Sequence, residues 1–370
     1  MDIASLFQNQ FGRVPEGTHF SPGRVNLIGE HTDYNGGAVL PAVLGLGLHI
    51  AISRRVDDRL RIVSDGFGVA VTRTLDEAAH SHWTDYALGA LVAAKAKGWI
   101  DGGADVAIHS NLPVGSGLSS SSALIVGLLK MLRNLCGANV SDAEIAQLAR
   151  SVEADFIGVP CGIMDQMVIA TAPQGNALFL DTHTMERTLL VLPKDPVFVV
   201  LHSGVRRKLS DGHYKIRKEE CDRAKHELGR GDLCRASLSD LSHLTDTVAR
   251  RRANHCVSEH VRTKAASKAL GLGDYQQFGA LMMDSHASMR DDFEITTPEI
   301  DALVDDAVQQ GALGARMTGG GFGGCVVALV PEDRLSDWRE TVLARHPKAR
   351  WVCTVNEHEN CVAFPEHKAL

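Results

Sequence analysis

The segment from residue 112 to 123 combines two glycines with a run of four serines, directly before an apolar helical pattern. Gly115 and Gly117 allow a backbone to approach a ligand closely, and the free N–H groups of the following helix favour an anion such as phosphate. The serine hydroxyls add donors and oxygen ligands for Mg²⁺. A helix cap on an ordinary Gly/Ser turn would give the same pattern. No Gly-Lys-Ser/Thr follows, so the loop is not a Walker A motif.

A second glycine cluster, from Gly319 to Gly324, formally satisfies the G-x-G-x-x-G pattern. The dinucleotide-binding fingerprint needs a helix after the glycines. Here Cys325 to Val330 is an apolar run typical of a strand. We therefore interpret the cluster as backbone that approaches another group closely.

The segment from Gly23 to Gly37 interleaves charged, hydroxyl and amide side chains with apolar residues and glycines. Such a mixture suits the recognition of a polyhydroxyl ligand, which needs donors and acceptors fixed on a tight loop. A solvated surface loop would explain the charges. It would not explain Leu27 and Ile28, nor the paired glycines Gly36 and Gly37.

Two carboxylates stand in apolar surroundings. Asp165 follows the second of two amphipathic helical patterns, where it is either a helix cap or a group held for chemistry. Glu153 lies on the flank of an apolar helical stripe, where a charge needs a partner. A salt bridge with Arg150 or another neighbour is the alternative to a functional role for Glu153.

Together these segments resemble the galactokinase family of the GHMP kinase superfamily. Residues 23–37 match the galactokinase signature without a mismatch, and the similarity runs from about residue 11 to residue 330 in the family's order. In the ATP-binding motif, Ser122-Ala123 stands where many relatives read Ala-Ser. The other similar segments are 113–122 (ATP-binding motif), 161–166 (catalytic aspartate), 316–325 (glycine-rich third motif), 83–86, Tyr214 and 286–292.

The resemblance implies phosphorylation of the anomeric C1 hydroxyl of galactose, with ATP and Mg²⁺. Asp165 would accept the proton of that hydroxyl, and Arg24 would keep Asp165 ionised and face the transferring phosphoryl group. The other roles that the resemblance implies are sugar binding by Glu30, His31, Asp33, Gly162 and Tyr214, phosphate binding by Gly115, Gly117, Ser119 and Ser120, an adenine contact by Trp83, and Mg²⁺ ligation by Ser121 and Glu153.

Two other functions compete with this one. A catalytically silent sensor would bind galactose and ATP and signal to a protein partner. Against it, the ATP-binding motif at residues 113–122, called the phosphate loop below, is uninterrupted, and Asp165, Arg24 and Glu153 are all present. A kinase for N-acetylgalactosamine or a related sugar stays open, because room for a 2-acetamido group depends on the shape of the pocket.

The elements that must position these residues form an α+β pattern. The resemblance implies a two-domain GHMP kinase architecture with the active site in the interdomain cleft, and we place the division near residue 190, giving domains 1–190 and 191–370. A capping box at Ser141 and Glu144 begins a helix whose apolar stripe continues to Phe156, and Gly137 ends the helix before it. The other predicted strands are 39–48, 60–64, 69–74, 104–109, 177–180, 197–202 and 325–330, and the other predicted helices begin at 119, 211, 259 and 298.

The composition limits the remaining classes of function. The net charge is −7 and the nearest basic cluster is only Arg206, Arg207 and Lys208, which argues against a nucleic-acid partner. There is no signal-peptide pattern and no membrane-spanning run, so we expect a cytoplasmic protein without a membrane partner. The eight cysteines form no C-x-x-C pair and are typical of reduced thiols. We further expect a monomer, and the ending from residue 356 does not resemble the usual family ending.

Overall fold

Two β-sheets, each covered by helices, organise the chain. The computed structural model describes residues 2–66, 68–113, 115–205 and 212–356. The strands are β1 (Gly17–Asn26), β2 (Ala38–Val39), β3 (Pro41–Arg54), β4 (Arg59–Ser64), β5 (Val71–Thr74), β6 (Ala104–Ser110), β7 (Asn176–Asp181), β8 (Arg187–Val191), β9 (Val197–His202), β10 (Gly314–Thr318), β11 (Cys325–Val330) and β12 (Arg350–Thr354). The helices are α1 (Ile3–Phe11), α2 (Asp85–Ala96), α3 (Ser120–Cys136), α4 (Asp142–Ser151), α5 (Met164–Thr171), α6 (His213–Leu228), α7 (Thr247–Leu272), α8 (Tyr275–Ser288), α9 (Pro298–Gln309) and α10 (Leu335–Arg345).

The first sheet has eight strands in the order β2-β7-β3-β6-β4-β5, with β1 also paired to β3 and β8 to β7. All pairs are antiparallel except β4 with β6. Successive residues of a strand face opposite sides, and here Ala51 and Ala107 face α1 while Ile50 and Ile108 belong to the main core. Helices α3 and α5 pack on β1 and β3.

Helix α3 connects the phosphate loop to the interior of the first half. It ends at Gly137, which has the left-handed φ of 71° that favours glycine, as the sequence predicts. The predicted capping box is present in α4, where Ser141 and Glu144 satisfy each other's backbone N–H groups. The prediction that this α-helix continues to Phe156 is wrong. Helix α4 ends at Ser151, and the next five residues, Val152–Phe156, form a π-helical turn. Such turns occur frequently at functional sites, and this one carries Glu153.

The second sheet has four strands, in the order β10-β11-β9-β12, and all its pairs are antiparallel. Strands β10 and β11 form a hairpin whose turn is the glycine cluster from Gly319 to Gly324. A strand on either side of the glycines agrees with the rejection of a dinucleotide-binding fold. The long helix α7 packs on α6 and α8 and extends the helix predicted from residue 259 toward the N-terminus.

One hydrophobic cluster extends from the first half into the second, while a separate cluster fills the rest of the second half. Phe198 of β9 packs edge-to-face against Phe278 of α8 at 5.3 Å, and both belong to the cluster that fills the first half. The first sheet ends with β8 at Val191, and the second begins with β9 at Val197. The division near residue 190 stays a prediction.

Two features that the sequence raised lie outside the described residues, namely the basic trio at 206–208 and the chain beyond residue 356. Within the described part, no helix is long and apolar enough to cross a membrane.

Candidate active site

The segments singled out in the sequence converge where the two sheets meet. The signature segment leaves β1 at Asn26, the phosphate loop joins β6 to α3, and Asp165 lies in the first turn of α5. The guanidinium of Arg24 donates to the carbonyl oxygen of Gly117 at 2.7 Å, and the N–H of Gly319 donates to Oε1 of Glu30 at 2.9 Å. These contacts bring the signature segment, the phosphate loop and the third glycine motif into one site.

Arg24 and Asp165 form a two-pronged ion pair at the centre of the site. Nε of Arg24 donates to Oδ1 at 2.7 Å, and Nη2 donates to Oδ2 at 2.6 Å. The hydroxyl of Ser119 also donates to Oδ2. The arginine side chain is 7% exposed and the aspartate 24%, so the carboxylate faces an opening. A carboxylate offers about four acceptor positions, and these contacts use three of them, which leaves one for a ligand.

Asp33 lies beside Asp165 with restricted space around it. Its Oδ1 accepts from the N–H of Tyr34 at 3.0 Å. A Cβ added to Gly162 would stand 1.9 Å from Oδ2 of Asp33, so only glycine leaves room for the carboxylate. Burial, and then the charge of Asp165, raises the pKa of Asp33 to about 6.

Glu30 and His31 point toward the third glycine motif. Glu30 is buried, forms an ion pair with Arg316 at 2.5 Å, and burial raises its pKa despite that pair. Nε2 of His31 lies 3.3 Å from the carbonyl oxygen of Gly320, and its Nδ1 lies 2.6 Å from the hydroxyl of Tyr34. The ring of Tyr214 is 5.1 Å from the ring of His31. The candidate sugar-binding residues thus lie around one short turn of the signature segment.

The phosphate loop ends at an open helix terminus. Ser119 precedes α3 with a left-handed φ of 64°, and its side chain makes no capping hydrogen bond to the first turn of that helix. The N–H groups at Ser120 and Ser121 therefore keep their capacity to bind an anion. Gly115 and Gly117 both have positive φ, which lets the loop turn sharply ahead of the helix.

Glu153 lies below the start of α3. It accepts from the hydroxyl of Ser122 at 3.2 and 3.1 Å and from the amide of Gln166, and the nearby hydroxyl of Ser121 lowers its pKa. Among the described residues it pairs with no Lys, Arg or His, so the predicted alternative of a salt bridge with Arg150 is not observed. Burial, and then the charge of Asp165, raises its pKa to about 7.

Trp83 stands at the other end of this region, directly before α2. Its ring is half-buried and lies 5.9 Å from the ring of His82. Helix α2 packs on α3 and on the turn that carries Glu153. Trp83 therefore lies on the flank of the elements that hold the phosphate loop.

Comparisons with known proteins decide the family. Three family profiles match the chain, namely the galactokinase galactose-binding signature at residues 5–54, the GHMP kinases N terminal domain at 85–172 and the GHMP kinases C terminal at 266–346. A galactokinase of Streptococcus mutans is 40% identical over 358 residues, which is 92% of each chain. A galactokinase of Streptococcus thermophilus is 41% identical over 362 residues, or 93% of each. The chain belongs to the galactokinase family.

Solved structures agree with the galactokinase fold. The crystal structure of Lactococcus lactis galactokinase complexed with galactose has a TM-score of 0.90, with 33% identity over 98% of each chain. Methanococcus jannaschii mevalonate kinase has a TM-score of 0.62 at 20% identity, covering 92% of this chain and 98% of its own, and is similar in fold alone. The predicted family, two-domain α+β architecture and enzyme class are confirmed, whereas the residue roles stay predictions.

Sequence reasoning missed the charges that support the signature segment. Arg316 is fully buried between Glu30 and Glu259, whose Oε1 also accepts from the N–H of Gly29 at 3.0 Å. Glu259 is itself fully buried and paired with Arg262 at 2.8 Å. The available signal was an ionisable residue on the buried face of α7 and another inside an apolar strand, since such groups require partners.

Proposed function

We propose that this chain phosphorylates the C1 hydroxyl of galactose with Mg·ATP. The observation that carries the proposal is the position of Asp165, which is held by Arg24 and Ser119 between the sugar signature and the phosphate loop. A base at that point has the sugar on one side and the transferring phosphoryl group on the other, as in-line transfer requires.

In the proposed reaction, the proton of the C1 hydroxyl passes to Asp165 while the C1 oxygen forms a bond to the γ-phosphorus. The bond from that phosphorus to the bridging oxygen of ATP breaks, and ADP leaves. Arg24 orients the carboxylate through two parallel hydrogen bonds and adds positive charge beside the phosphoryl group. General base catalysis of this kind contributes about 10²–10⁴ to the rate.

The sugar subsite in this proposal is built from the signature segment and its neighbours. Asp33 accepts from ring hydroxyls, and the backbone of Gly162 closes the wall behind it. The aromatic ring of Tyr214 covers the side next to His31. Glu30 supports the same pocket from its buried position against Arg316.

The nucleotide subsite is the start of α3. The backbone at Gly115, Gly117, Ser119 and Ser120 binds the phosphates, supported by the helix start at which Ser119's side chain makes no capping hydrogen bond. Trp83 flanks the base of the nucleotide.

The residues present fit a magnesium ion. The described residues contain no group of three or more His, Cys, Asp or Glu side chains that could enclose a metal, so the ion must rely on few protein ligands. Mg²⁺ commonly takes one or two protein oxygens together with substrate phosphates. Glu153 is a buried carboxylate with a hydroxyl neighbour, Ser121, and without a cationic partner among the described residues. These two would hold Mg²⁺, which when bound neutralises charge on the phosphates.

The experiment is ADP release with Mg·ATP against galactose, glucose, N-acetylgalactosamine, arabinose and mevalonate. Turnover on galactose far above the others, with galactose 1-phosphate as product, is the expected result. Equal or greater turnover on N-acetylgalactosamine would show that galactose is not the preferred substrate. Binding of galactose without turnover on any compound would favour the catalytically silent sensor.

A further inference from the structure

The side chain of Thr318 joins the ends of two strands that belong to different sheets. Its hydroxyl donates to the carbonyl oxygen of Asn26 at 2.8 Å and accepts from the N–H of Asn26 at 3.2 Å. Thr318 closes β10 and is 4% exposed, and Asn26 closes β1. A buried hydroxyl that meets both backbone groups of one residue fixes the position of that residue.

The next residue extends this junction toward the sugar subsite. The N–H of Gly319 donates to Oε1 of Glu30 at 2.9 Å, and Nδ2 of Asn26 donates to Oε2 of the same carboxylate at 2.9 Å. Glu30 is therefore held from the glycine turn and from the signature segment at once. A shift of the turn must move Glu30 or cost its buried Oε1 the hydrogen bond from Gly319, although Oε2 keeps Asn26 and Arg316.

The opposite side of the same glycine turn lies against the phosphate loop. A Cβ on Gly319 would stand 3.4 Å from the carbonyl oxygen of Gly117, and a Cβ on Gly324 would stand 3.0 Å from that of Ser116. Gly117 in turn accepts from Arg24. The turn is thus a shared wall, with Glu30 on one side and the phosphate loop on the other.

We propose that Thr318 is a positioning residue that couples the sugar and nucleotide subsites, so that galactose and nucleotide strengthen each other's binding. The inference rests on the proposed function, since it assigns ligands to the two sides of the wall. Ordering the turn by one ligand lowers the ordering cost that remains for the second. Couplings between sites are typically about 5–150-fold, and we expect at least about fivefold here.

The test is calorimetric titration of galactose into the full chain, with and without saturating Mg²⁺ and a non-hydrolysable ATP analogue. The measured quantity is the ratio of the two galactose dissociation constants. T318V keeps the shape of the side chain and removes the hydroxyl, T318C keeps the volume with a weak donor, and T318S keeps the hydroxyl. The matched control is T263V, because Thr263 is equally buried and its hydroxyl donates to the carbonyl oxygen of Glu259 in its own helix at 2.8 Å.

The expected ratio is about fivefold or more in the wild type, T318S and T263V, and below about twofold in T318V. T318C keeps the test available should T318V not fold, and its ratio should fall between the two. A purely structural role would weaken both galactose affinities and leave their ratio unchanged. An unchanged ratio in T318V or T318C therefore overturns the inference. A ratio that falls in T263V as far as it does in T318V overturns it as well. A wild-type ratio near one also overturns it while the proposed function stands, whereas a wild type that binds no galactose overturns the proposed function.

Discussion

Arg24 meets Asp165 with two parallel hydrogen bonds, from Nε to Oδ1 at 2.7 Å and from Nη2 to Oδ2 at 2.6 Å. This geometry fixes both the plane and the direction of the carboxylate. The same guanidinium reaches the carbonyl oxygen of Gly117 in the phosphate loop at 2.7 Å. One buried side chain therefore positions Asp165, the proposed base, relative to the phosphate loop. The predictions below follow from this arrangement and from the groups around it.

Asp33 should impose an acid limit on galactose use. Its pKa is raised by burial, and next by the charge of Asp165, to about 6. The kcat/KM for galactose should therefore fall as the pH drops below 6, because the protonated carboxyl loses its charge and part of its acceptor capacity. D33N should raise the KM for galactose far more than the KM for ATP and should lack this limb. A pH profile of kcat/KM for each substrate tests this. If kcat/KM of the wild type for galactose stayed constant from pH 5 to 7, the assignment of Asp33 to the sugar subsite would be wrong.

The same raised pKa has a consequence for stability. The folded pKa of about 6 exceeds the ordinary 3.8, so between these values the folded chain holds the proton more tightly. The contribution of this group to the free energy of unfolding therefore falls as the pH rises through that range. Above pH 6, where Asp33 is ionised in both states, the destabilisation reaches its full value. At pH 7.5, D33N should gain stability of about 1–3 kcal/mol, measured by urea denaturation. A less stable D33N would show that the ionised carboxylate supports the fold.

Gly162 should tolerate no side chain. In G162A the new Cβ would stand 1.9 Å from Oδ2 of Asp33, so the carboxylate must move and the KM for galactose should rise by about tenfold or more, equivalent to about 1.4 kcal/mol. G231A is the control, because a Cβ there meets nothing within 4 Å. Steady-state kinetics with each substrate varied in turn would check it. An equal KM for galactose in both variants would contradict the assignment of Gly162.

Glu153 should govern the magnesium requirement. Removing a residue that hydrogen-bonds a metal ligand lowers metal affinity about 10–100-fold. Removing the charge of a ligand itself should cost at least as much, so E153Q should raise the half-saturating Mg²⁺ concentration at least about tenfold. D155N is the matched control, since Asp155 lies exposed on the same π-helical turn. Mg²⁺ titrations of turnover at saturating ATP give the comparison. Equal requirements in E153Q and the wild type would exclude Glu153 as a ligand.

The buried arginine of the third motif should be costly to remove. R316M would leave Glu30 and Glu259 without it, and breaking a buried pair in this way costs about 3–5 kcal/mol. R54M removes a half-exposed pair with Glu16 and should cost about 0–1 kcal/mol. Urea denaturation of both variants measures the difference. A loss below about 1 kcal/mol in R316M would mean that the carboxylates find other partners.

Local signals in the sequence predict the elements well where a residue acts on its own neighbours. Ser141 and Glu144 cap α4 through contacts three residues apart, and strand β11 coincides with the apolar run at Cys325–Val330. The π-helical turn escapes prediction because Val152 and Phe156 keep helical spacing. Only the partners of Glu153 from α3 and α5, Ser122 and Gln166, show why the chain re-aims it.

The candidate site divides in the same way. The glycines and serines of the phosphate loop indicate an anion site by their own chemistry, and in the structure the side chain of Ser119 makes no capping hydrogen bond at the start of α3. The roles of Asp165 and Asp33 come from the family resemblance, since spacing alone cannot tell a helix cap from a base. The pairing of Glu30 with Arg316 joins distant parts of the chain, and only the packing of the two sheets brings them together.

The central claim is that Asp165 is the base. The most direct test is D165N, with kcat for galactose phosphorylation and nucleotide affinity by calorimetry measured on the same preparation, and D155N as the matched control. Loss of the carboxylate with the fold kept should lower kcat by about 10²–10⁴ and leave nucleotide binding within about threefold. Turnover in D165N close to that of the wild type, with nucleotide still bound, would contradict the account.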